Sequence, residues 1–189
     1  MQWYLHLHVT TVRTRRASDC AHLYNNEKII GDAIQSKIKG LFIVGKLWST
    51  LHRPPLVEPA LKETLKNLQL DYPDLYLMHW PQGEFVPVDP GLVIPSDVDY
   101  VDTWKAIEEL QRKGLTRSLG VSNFNSKQIE RLLKVASIVP VTNQVECHPY
   151  LNQAKLRKFC QGRGTILTSY CPLEKDPGRN WRKIRKIYN

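Results

Sequence analysis

The chain alternates short, continuous apolar runs with longer stretches in which apolar residues recur every three or four positions. The continuous runs, such as residues 41–44 and 75–78, are typical of strands that are buried on both faces. The longer stretches have the period of helices with one apolar face. This pattern predicts strands that end at Asp19 or span residues 41–44, 75–78, 118–121, 141–145 and 165–168. It predicts helices over residues 27–38, 56–70, 99–114 and 152–160, and one further helix that is capped by Ser126.

Regular alternation of strands and helices predicts a parallel sheet whose connections are right-handed crossovers. Both an open doubly wound sheet and a (β/α) barrel produce such a pattern. No Gly-x-Gly-x-x-Gly motif follows the first predicted strand, so the dinucleotide-binding fingerprint of the doubly wound fold is missing. The sequence therefore favours an α/β protein with a barrel arrangement, and its 189 residues are typical of one domain.

A polar side chain stands at or near the C-terminal end of every predicted strand. In chain order these residues are Asp19, Lys46, His79, Ser122 with Asn123, Gln144 and Tyr170. In a (β/α) barrel the C-terminal strand ends meet at one rim, where the active site lies. We therefore expect these side chains to share one pocket.

The residue types at this predicted rim suit the transfer of a proton to an oxygen whose carbon receives a hydride. Asp19 and Lys46 belong to neighbouring predicted strands and can form an ion pair. An ammonium group beside Tyr24 would lower the pKa of the phenol from about 10 and so favour proton release. His79 can hydrogen-bond a substrate carbonyl. Each of these residues alone also fits a structural role, so the hypothesis depends on the whole set.

The net charge of +9 is concentrated at the two ends of the chain. Most of the excess lies before Asp19 and after residue 173, which leaves the body of the chain nearly neutral. A nucleic-acid-binding domain is expected to carry its basic residues on a folded face, so nucleic acid is not predicted as a partner. The apolar runs are far shorter than the roughly 20 residues of a membrane-spanning helix, so no membrane partner is predicted.

The N-terminus lacks the basic region of a secretory signal, and the four cysteines have no regular spacing. These features predict reduced thiols and a cytoplasmic protein. His6 and His8 alternate as on a strand face and have no further ligands beside them. No metal site is therefore predicted.

Six motifs resemble those of the aldo-keto reductase family, in particular its aldose-reductase branch. They lie at residues 19–27 (DCAHLYNNE), 46–48 (KLW), 71–81 (DYPDLYLMHWP), 120–125 (GVSNFN), 143–151 (NQVECHPYL) and 169–173 (SYCPL). Their order and spacing agree with the family over residues 19–173.

The resemblance implies a (β/α)8 barrel that uses NADPH without a Rossmann fold and reduces small-molecule carbonyl compounds. It implies that Tyr24 is the proton donor, that Lys46 and Asp19 tune it, and that His79 orients the substrate. The implied cofactor-binding residues are Ser122, Asn123 and Gln144 at the nicotinamide carboxamide, Tyr170 stacked on the ring, and Cys171 and Leu173. The implied walls of the substrate pocket are Trp48 and Trp80. Cys171 stands where the family often has Ser.

No family motif is identified in residues 1–18, and residues 174–189 diverge from the family pattern. The sequence therefore predicts an incomplete barrel over residues 19–173 with about six of eight strands, and a basic C-terminal tail. Two open sheet edges would favour self-association, although residues 1–16, which alternate over 4–9, could supply a replacement strand. The alternative function is an inactive fragment that acts as a binding or regulatory module, or a non-functional truncated product.

Overall fold

The computed structural model of the chain describes residues 9–12, 15–36, 40–85 and 94–172. Its strands are β1 Val9–Val12, β2 Arg15–Asp19, β3 Phe42–Leu47, β4 Leu75–Met78, β5 Glu84–Phe85, β6 Ile94–Pro95, β7 Ser118–Ser122, β8 Thr142–Glu146 and β9 Ile166–Tyr170. Its helices are α1 Glu27–Ser36, α2 Pro54–Leu68, α3 Tyr100–Arg112, α4 Ser126–Leu133 and α5 Ala154–Gln161. Short 3₁₀ turns, His22–Tyr24 and Ser49–Leu51, follow β2 and β3. None of the described helices has the length and apolarity needed to cross a bilayer.

Seven strands form the main sheet in the order β1-β2-β3-β4-β7-β8-β9, and β5 pairs with β6 in a separate hairpin. From β2 to β9, each strand of the main sheet is parallel to its neighbour. This arrangement confirms the six predicted parallel strands. Their order follows the chain without reversal, whereas a doubly wound sheet reverses its strand order at a switch point. The fold is therefore an α/β arrangement of the (β/α) barrel type, with six barrel strands in the described residues.

Strand β1 extends the sheet beyond β2. It runs antiparallel to β2, with Val9 opposite Ser18 and Val12 opposite Arg15. The N-terminal segment thus supplies the additional strand that the sequence left open as an alternative, and among the described strands this edge of the sheet lies at β1 and not at β2. The predicted alternation over residues 4–9 lies almost entirely outside the described residues. At the other edge, β9 has no further neighbour among the described strands.

The start of α4 differs by one residue from the prediction. Asn125, not Ser126, is the N-cap: its side chain accepts a hydrogen bond from the backbone N–H of Gln128 at 2.9 Å. The Gln128 side chain accepts in return from the backbone N–H of Asn125. This reciprocal pair satisfies two N–H groups that the helix itself leaves unpaired. Ser126 is the first helical residue.

The main apolar core lies between the sheet and the outer helices. Leu61 of α2, together with Trp104 and Ile107 of α3, is fully buried there. In β7, a Cβ atom on Gly120 would lie 2.6 Å from the Leu77 side chain and 2.9 Å from the backbone oxygen of Thr142. The absence of a side chain therefore permits the close packing of β7 against its neighbours. This packing holds the C-terminal strand ends at a common rim.

Candidate active site

Asp19 and Lys46 form a buried ion pair at the ends of β2 and β3. The register places Asp19 opposite Val44, so Lys46, two residues further along β3, projects to the same face as Val44. Its Nζ donates to Asp19 Oδ1 at 2.5 Å and to the backbone oxygen of Cys20 at 3.3 Å. Burial lowers the pKa of Lys46, and the Asp19 carboxylate opposes that shift. Lys46 is 1% exposed, so the carboxylate is what compensates its buried charge.

Tyr24 projects from the 3₁₀ turn that follows β2 and lies beside this ion pair. Lys46 Nζ is 4.8 Å from the centroid of the Tyr24 ring. The Tyr24 ring also meets the His79 ring edge to face, with centroids 5.7 Å apart. Tyr24 is 43% exposed, so an incoming molecule can reach it. The structure thus brings Asp19, Tyr24, Lys46 and His79 together, as the sequence predicts.

The net shift of the Tyr24 pKa is upward, whereas the sequence predicts that Lys46 lowers it. Desolvation of the phenol raises the pKa of Tyr24 above its ordinary value, and the Asp19 carboxylate raises it further. The ammonium of Lys46, whose charge Asp19 compensates, does not outweigh these two effects. Tyr24 is therefore a protonated phenol at physiological pH.

His79 follows β4 directly and lies among aromatic rings. The ring centroid of Trp48 is 5.2 Å from that of His79, and the centroid of Trp80 is 6.4 Å away. Burial lowers the pKa of His79 to about 3, and the charges of Lys46 and His52 lower it as well. His79 is therefore a neutral imidazole at physiological pH. Its Nδ1 is buried without a hydrogen-bond partner among the described residues, so Nε2 is the nitrogen that can contact a ligand.

A hydrogen-bonded group of polar side chains occupies the ends of β7, β8 and β9. Ser122 Oγ donates to the backbone oxygen of Gln144 at 2.8 Å. The Asn123 amide donates to the backbone oxygen of His79 at 3.0 Å and to Ser122 Oγ at 3.1 Å. The Tyr170 hydroxyl donates to Asn123 Oδ1 at 2.9 Å. The Asn123 side chain therefore ties the ends of β7 and β9 to the backbone of His79.

The remaining predicted residues lie beside or beyond this group. Cys171 follows Tyr170, has a left-handed backbone with φ of 49°, and is a reduced, partly buried thiol. Tyr170 and Cys171 both affect the pKa of Tyr24, which places them near the phenol. Leu173 and the histidines at positions 6 and 8 lie outside the described residues. Within the described residues, no three His, Cys, Asp or Glu side chains are grouped as metal ligands.

His52 is a residue near the site that the sequence reasoning missed. It follows the 3₁₀ turn after β3, is 1% exposed, and neither of its ring nitrogens has a hydrogen-bond partner in the described part of the chain. Burial lowers its pKa to about 4. Because His52 lies in a turn and not at a strand end, the pattern of polar residues at strand ends did not indicate it. Only its place directly before the helix start at Arg53 and Pro54 could have drawn attention to it.

Comparisons with known proteins agree with this geometry. The model of the Aldo/keto reductase family matches residues 11–181. Aldo-keto reductase family 1 member A1 of Gallus gallus is 49% identical over 181 residues, which is 88% of this chain and 55% of that protein. The human protein of the same name is 46% identical over the same shares of the two chains. Prostaglandin-E(2) 9-reductase of Oryctolagus cuniculus is also 46% identical, over 88% of this chain and 56% of that protein.

A solved structure, aldose reductase from Giardia lamblia, superposes with a TM-score of 0.78 at 37% identity. The match covers 82% of this chain and 56% of that chain, and it supports the (β/α) barrel assignment. The chain spans about half the length of the curated relatives it matches. The site motifs, the barrel topology and these matches together show that the chain belongs to the aldo/keto reductase family.

Proposed function

We propose that this site reduces the carbonyl group of a small aldehyde or ketone to an alcohol, with NADPH as cofactor. The observation that carries the proposal is the convergence of Tyr24, His79 and the Lys46–Asp19 pair, which three separate chain segments contribute. A phenol and a neutral imidazole side by side can both donate a hydrogen bond to one carbonyl oxygen. Polarising that oxygen makes the carbonyl carbon more electrophilic.

Tyr24 is the proposed proton donor and His79 the proposed orienting residue. As the carbonyl carbon receives a hydride, its oxygen becomes an alkoxide, which is basic enough to take the proton of a phenol whose pKa is raised. The phenolate that remains is stabilised by the ammonium of Lys46, 4.8 Å from the ring centroid. Asp19 holds that ammonium in place. The ion pair thus stabilises the phenolate that the proton transfer produces.

The polar group at the ends of β7, β8 and β9 fits the nicotinamide part of NADPH, which supplies the hydride when bound. Ser122 is fixed by its hydrogen bond to the backbone oxygen of Gln144, and Asn123 by its hydrogen bond to Ser122 Oγ. The side-chain amide of Gln144 makes no hydrogen bond in the described part of the chain, so it can pair with a carboxamide. Tyr170 lies beside them, tied by its hydroxyl to Asn123, with a ring on which a planar heterocycle can stack. Cys171 and Leu173 remain proposed contacts to the rest of the cofactor.

The proposed substrate pocket has aromatic walls. Trp48 and Trp80 flank His79 and are both partly buried. Such walls favour a carbonyl group attached to an apolar or aromatic body, because aromatic side chains bury large apolar areas. Location in the cytoplasm and self-association through sheet edges remain predictions.

The test combines cofactor binding with turnover. NADPH is titrated against the fluorescence of Trp48 and Trp80, and its oxidation in the presence of an aromatic aldehyde is followed by absorbance. Tyr24→Phe removes only the hydroxyl and is expected to lower kcat by roughly 10²- to 10⁴-fold while leaving NADPH binding unchanged. Tyr150→Phe is the control, because Tyr150 is 90% exposed and lies outside the proposed site.

Equal turnover by the wild type and Tyr24→Phe would refute the role of Tyr24. Binding of NADPH without turnover of any aldehyde would instead favour the alternative function, a binding or regulatory module. Absence of both binding and turnover would favour a non-functional product.

A further inference from the structure

The backbone of His79 is held by hydrogen bonds on both of its sides. Its N–H donates to the backbone oxygen of Leu47 at 3.1 Å. Its carbonyl oxygen accepts from Nδ2 of Asn123 at 3.0 Å. Because His79 lies directly after the last residue of β4, these two bonds fix its backbone beyond the end of the strand. The place of the imidazole therefore depends on how the Asn123 side chain is oriented.

The hydroxyl of Tyr170 fixes that orientation. A backbone carbonyl oxygen can only accept a hydrogen bond, so the Asn123 atom that faces the carbonyl of His79 is the amide nitrogen. The amide oxygen of Asn123 therefore faces Tyr170, whose hydroxyl donates to it at 2.9 Å. The amide nitrogen also donates to Ser122 Oγ at 3.1 Å, which agrees with the same orientation. Both polar atoms of the Asn123 side chain are thus engaged.

The backbone of Asn123 allows its side chain to reach both partners. Its φ of 64° lies in the left-handed region, which asparagine enters more readily than most residues. Its backbone N–H donates to the backbone oxygen of Gln144 on β8 at 2.9 Å. With the backbone anchored on β8, the side chain lies between His79 and Tyr170, which are 44 and 47 residues away along the chain. Only the folded sheet can bring these three residues together.

Tyr170 is a second phenol at the proposed site, and its hydroxyl has a different use from that of Tyr24. The electrostatic effect of Tyr170 raises the pKa of Tyr24, which agrees with a position near the proposed proton donor. The proton of the Tyr170 hydroxyl is used in the hydrogen bond to Asn123. The ring of Tyr170 is the surface on which the nicotinamide is proposed to stack. The hydroxyl thus has a partner and a role of its own, separate from those of the ring.

We propose that Tyr170 is a positioning residue for His79: its hydroxyl orients the Asn123 amide, and that amide holds the carbonyl of His79 so that the imidazole stays beside Tyr24. The hydroxyl thereby acts on the end of β4 although β7 and β8 lie between β4 and β9 in the sheet. The effect on carbonyl reduction rests on the proposed function. The connection from Tyr170 to His79 does not.

The connection is tested by NMR spectroscopy of the chain without cofactor. The probe is the ¹³C signal of the His79 carbonyl carbon, which moves when the carbonyl gains or loses a hydrogen bond. Tyr170→Phe keeps the ring, removes the hydroxyl and is expected to shift or broaden this signal. Tyr150→Phe is the matched control, because it removes a hydroxyl from a side chain that is 90% exposed, and it is expected to leave the signal in place. An unchanged His79 signal in Tyr170→Phe would overturn the proposal.

The route through Asn123 is tested by a double-mutant cycle with the same probe. Asn123→Ala removes the donor to the His79 carbonyl, so Tyr170→Phe is expected to cause no further shift when it is added to Asn123→Ala. An equal shift in both backgrounds would show that the hydroxyl does not act through Asn123 and would refute the proposal. If Asn123→Ala does not fold, Asn123→Asp replaces it, because the aspartate keeps an oxygen for Tyr170 and loses the donor to His79.

In turnover, Tyr170→Phe is expected to lower kcat/KM for an aromatic aldehyde by roughly 3- to 10-fold. Its affinity for NADPH is expected to match that of the wild type because the ring is retained, whereas Tyr170→Ala, which also loses the ring, is expected to bind NADPH more weakly. An unchanged kcat/KM in Tyr170→Phe, or a loss of NADPH affinity equal to that of Tyr170→Ala, would refute the positioning role.

The failure of this inference can be distinguished from the failure of the proposed function. A wild-type chain that turns over no aldehyde, but whose His79 signal responds to Tyr170→Phe as expected, would refute the proposed function and leave the connection from Tyr170 to His79 standing.

Discussion

Acidification is expected to destabilise this chain through two buried imidazoles. Burial lowers the pKa of His52 from 6.5 to about 4 and that of His79 from 6.5 to about 3. In the unfolded chain both rings take up a proton near pH 6.5, whereas in the folded chain they stay neutral until the pH is much lower. Between these values the unfolded state binds more protons. The free energy of unfolding therefore falls as the pH falls below 6.5.

The size of the effect follows from the two shifts. Between pH 8 and pH 5, each ring is expected to remove about 2 kcal/mol from the free energy of unfolding, or about 4 kcal/mol for the pair. A whole domain is stabilised by only about 5–15 kcal/mol. The loss expected from two histidines is thus a large fraction of the stability of a typical domain. Their contribution is complete above pH 6.5 and is lost progressively toward pH 4 and below.

The assay is urea unfolding followed by circular dichroism at pH 8, 7, 6 and 5. The wild type is compared with His52→Gln, which cannot take up a proton at this position, and with His22→Gln, whose parent side chain is exposed. The stability difference between His52→Gln and the wild type is expected to move by about 2 kcal/mol in favour of the variant from pH 8 to pH 5. His22→Gln is expected to follow the wild type. If His52→Gln loses stability in parallel with the wild type at every pH, the reasoning is refuted.

Two further predictions concern the ion pair and a helix cap. Lys46→Met leaves the buried Asp19 carboxylate without its partner and is expected to cost about 3–5 kcal/mol in urea unfolding. The double variant with Asp19→Asn should recover part of that loss, and a loss in the double variant equal to the sum of the two single losses would show that the pair is not coupled. Asn125→Ala is expected to cost about 1 kcal/mol because it removes the N-cap of α4, whereas Ser126→Ala should change stability by less than about 0.5 kcal/mol. The opposite order in thermal unfolding would contradict the assignment of the cap.

The parallel strands and the residues at their ends could be predicted from the sequence. Continuous apolar runs such as residues 75–78 indicate strands covered on both faces, and the alternation with helices leaves few topologies for the sheet. Since the C-terminal ends of barrel strands meet at one rim, Asp19, Lys46 and His79 could be placed together before any distance was known. The resemblance of the motifs to the family added Tyr24 to this group of site residues.

The pKa shifts at the site depend on burial and on neighbouring charges, which no local sequence pattern indicates. The Tyr24 pKa is raised by desolvation first and by the Asp19 carboxylate second, and neither effect can be read from the presence of a lysine in the sequence. His52 became visible only when folding buried it beside a cavity. Strands β1 and β2 likewise pair although no pattern in their sequences predicts the register of that pairing. The spacing of apolar residues thus determined which helices and strands form and in what order, because each element buries its apolar positions. Desolvation and the partners of buried polar atoms were decided by the tertiary structure, because they depend on residues brought together from distant parts of the chain.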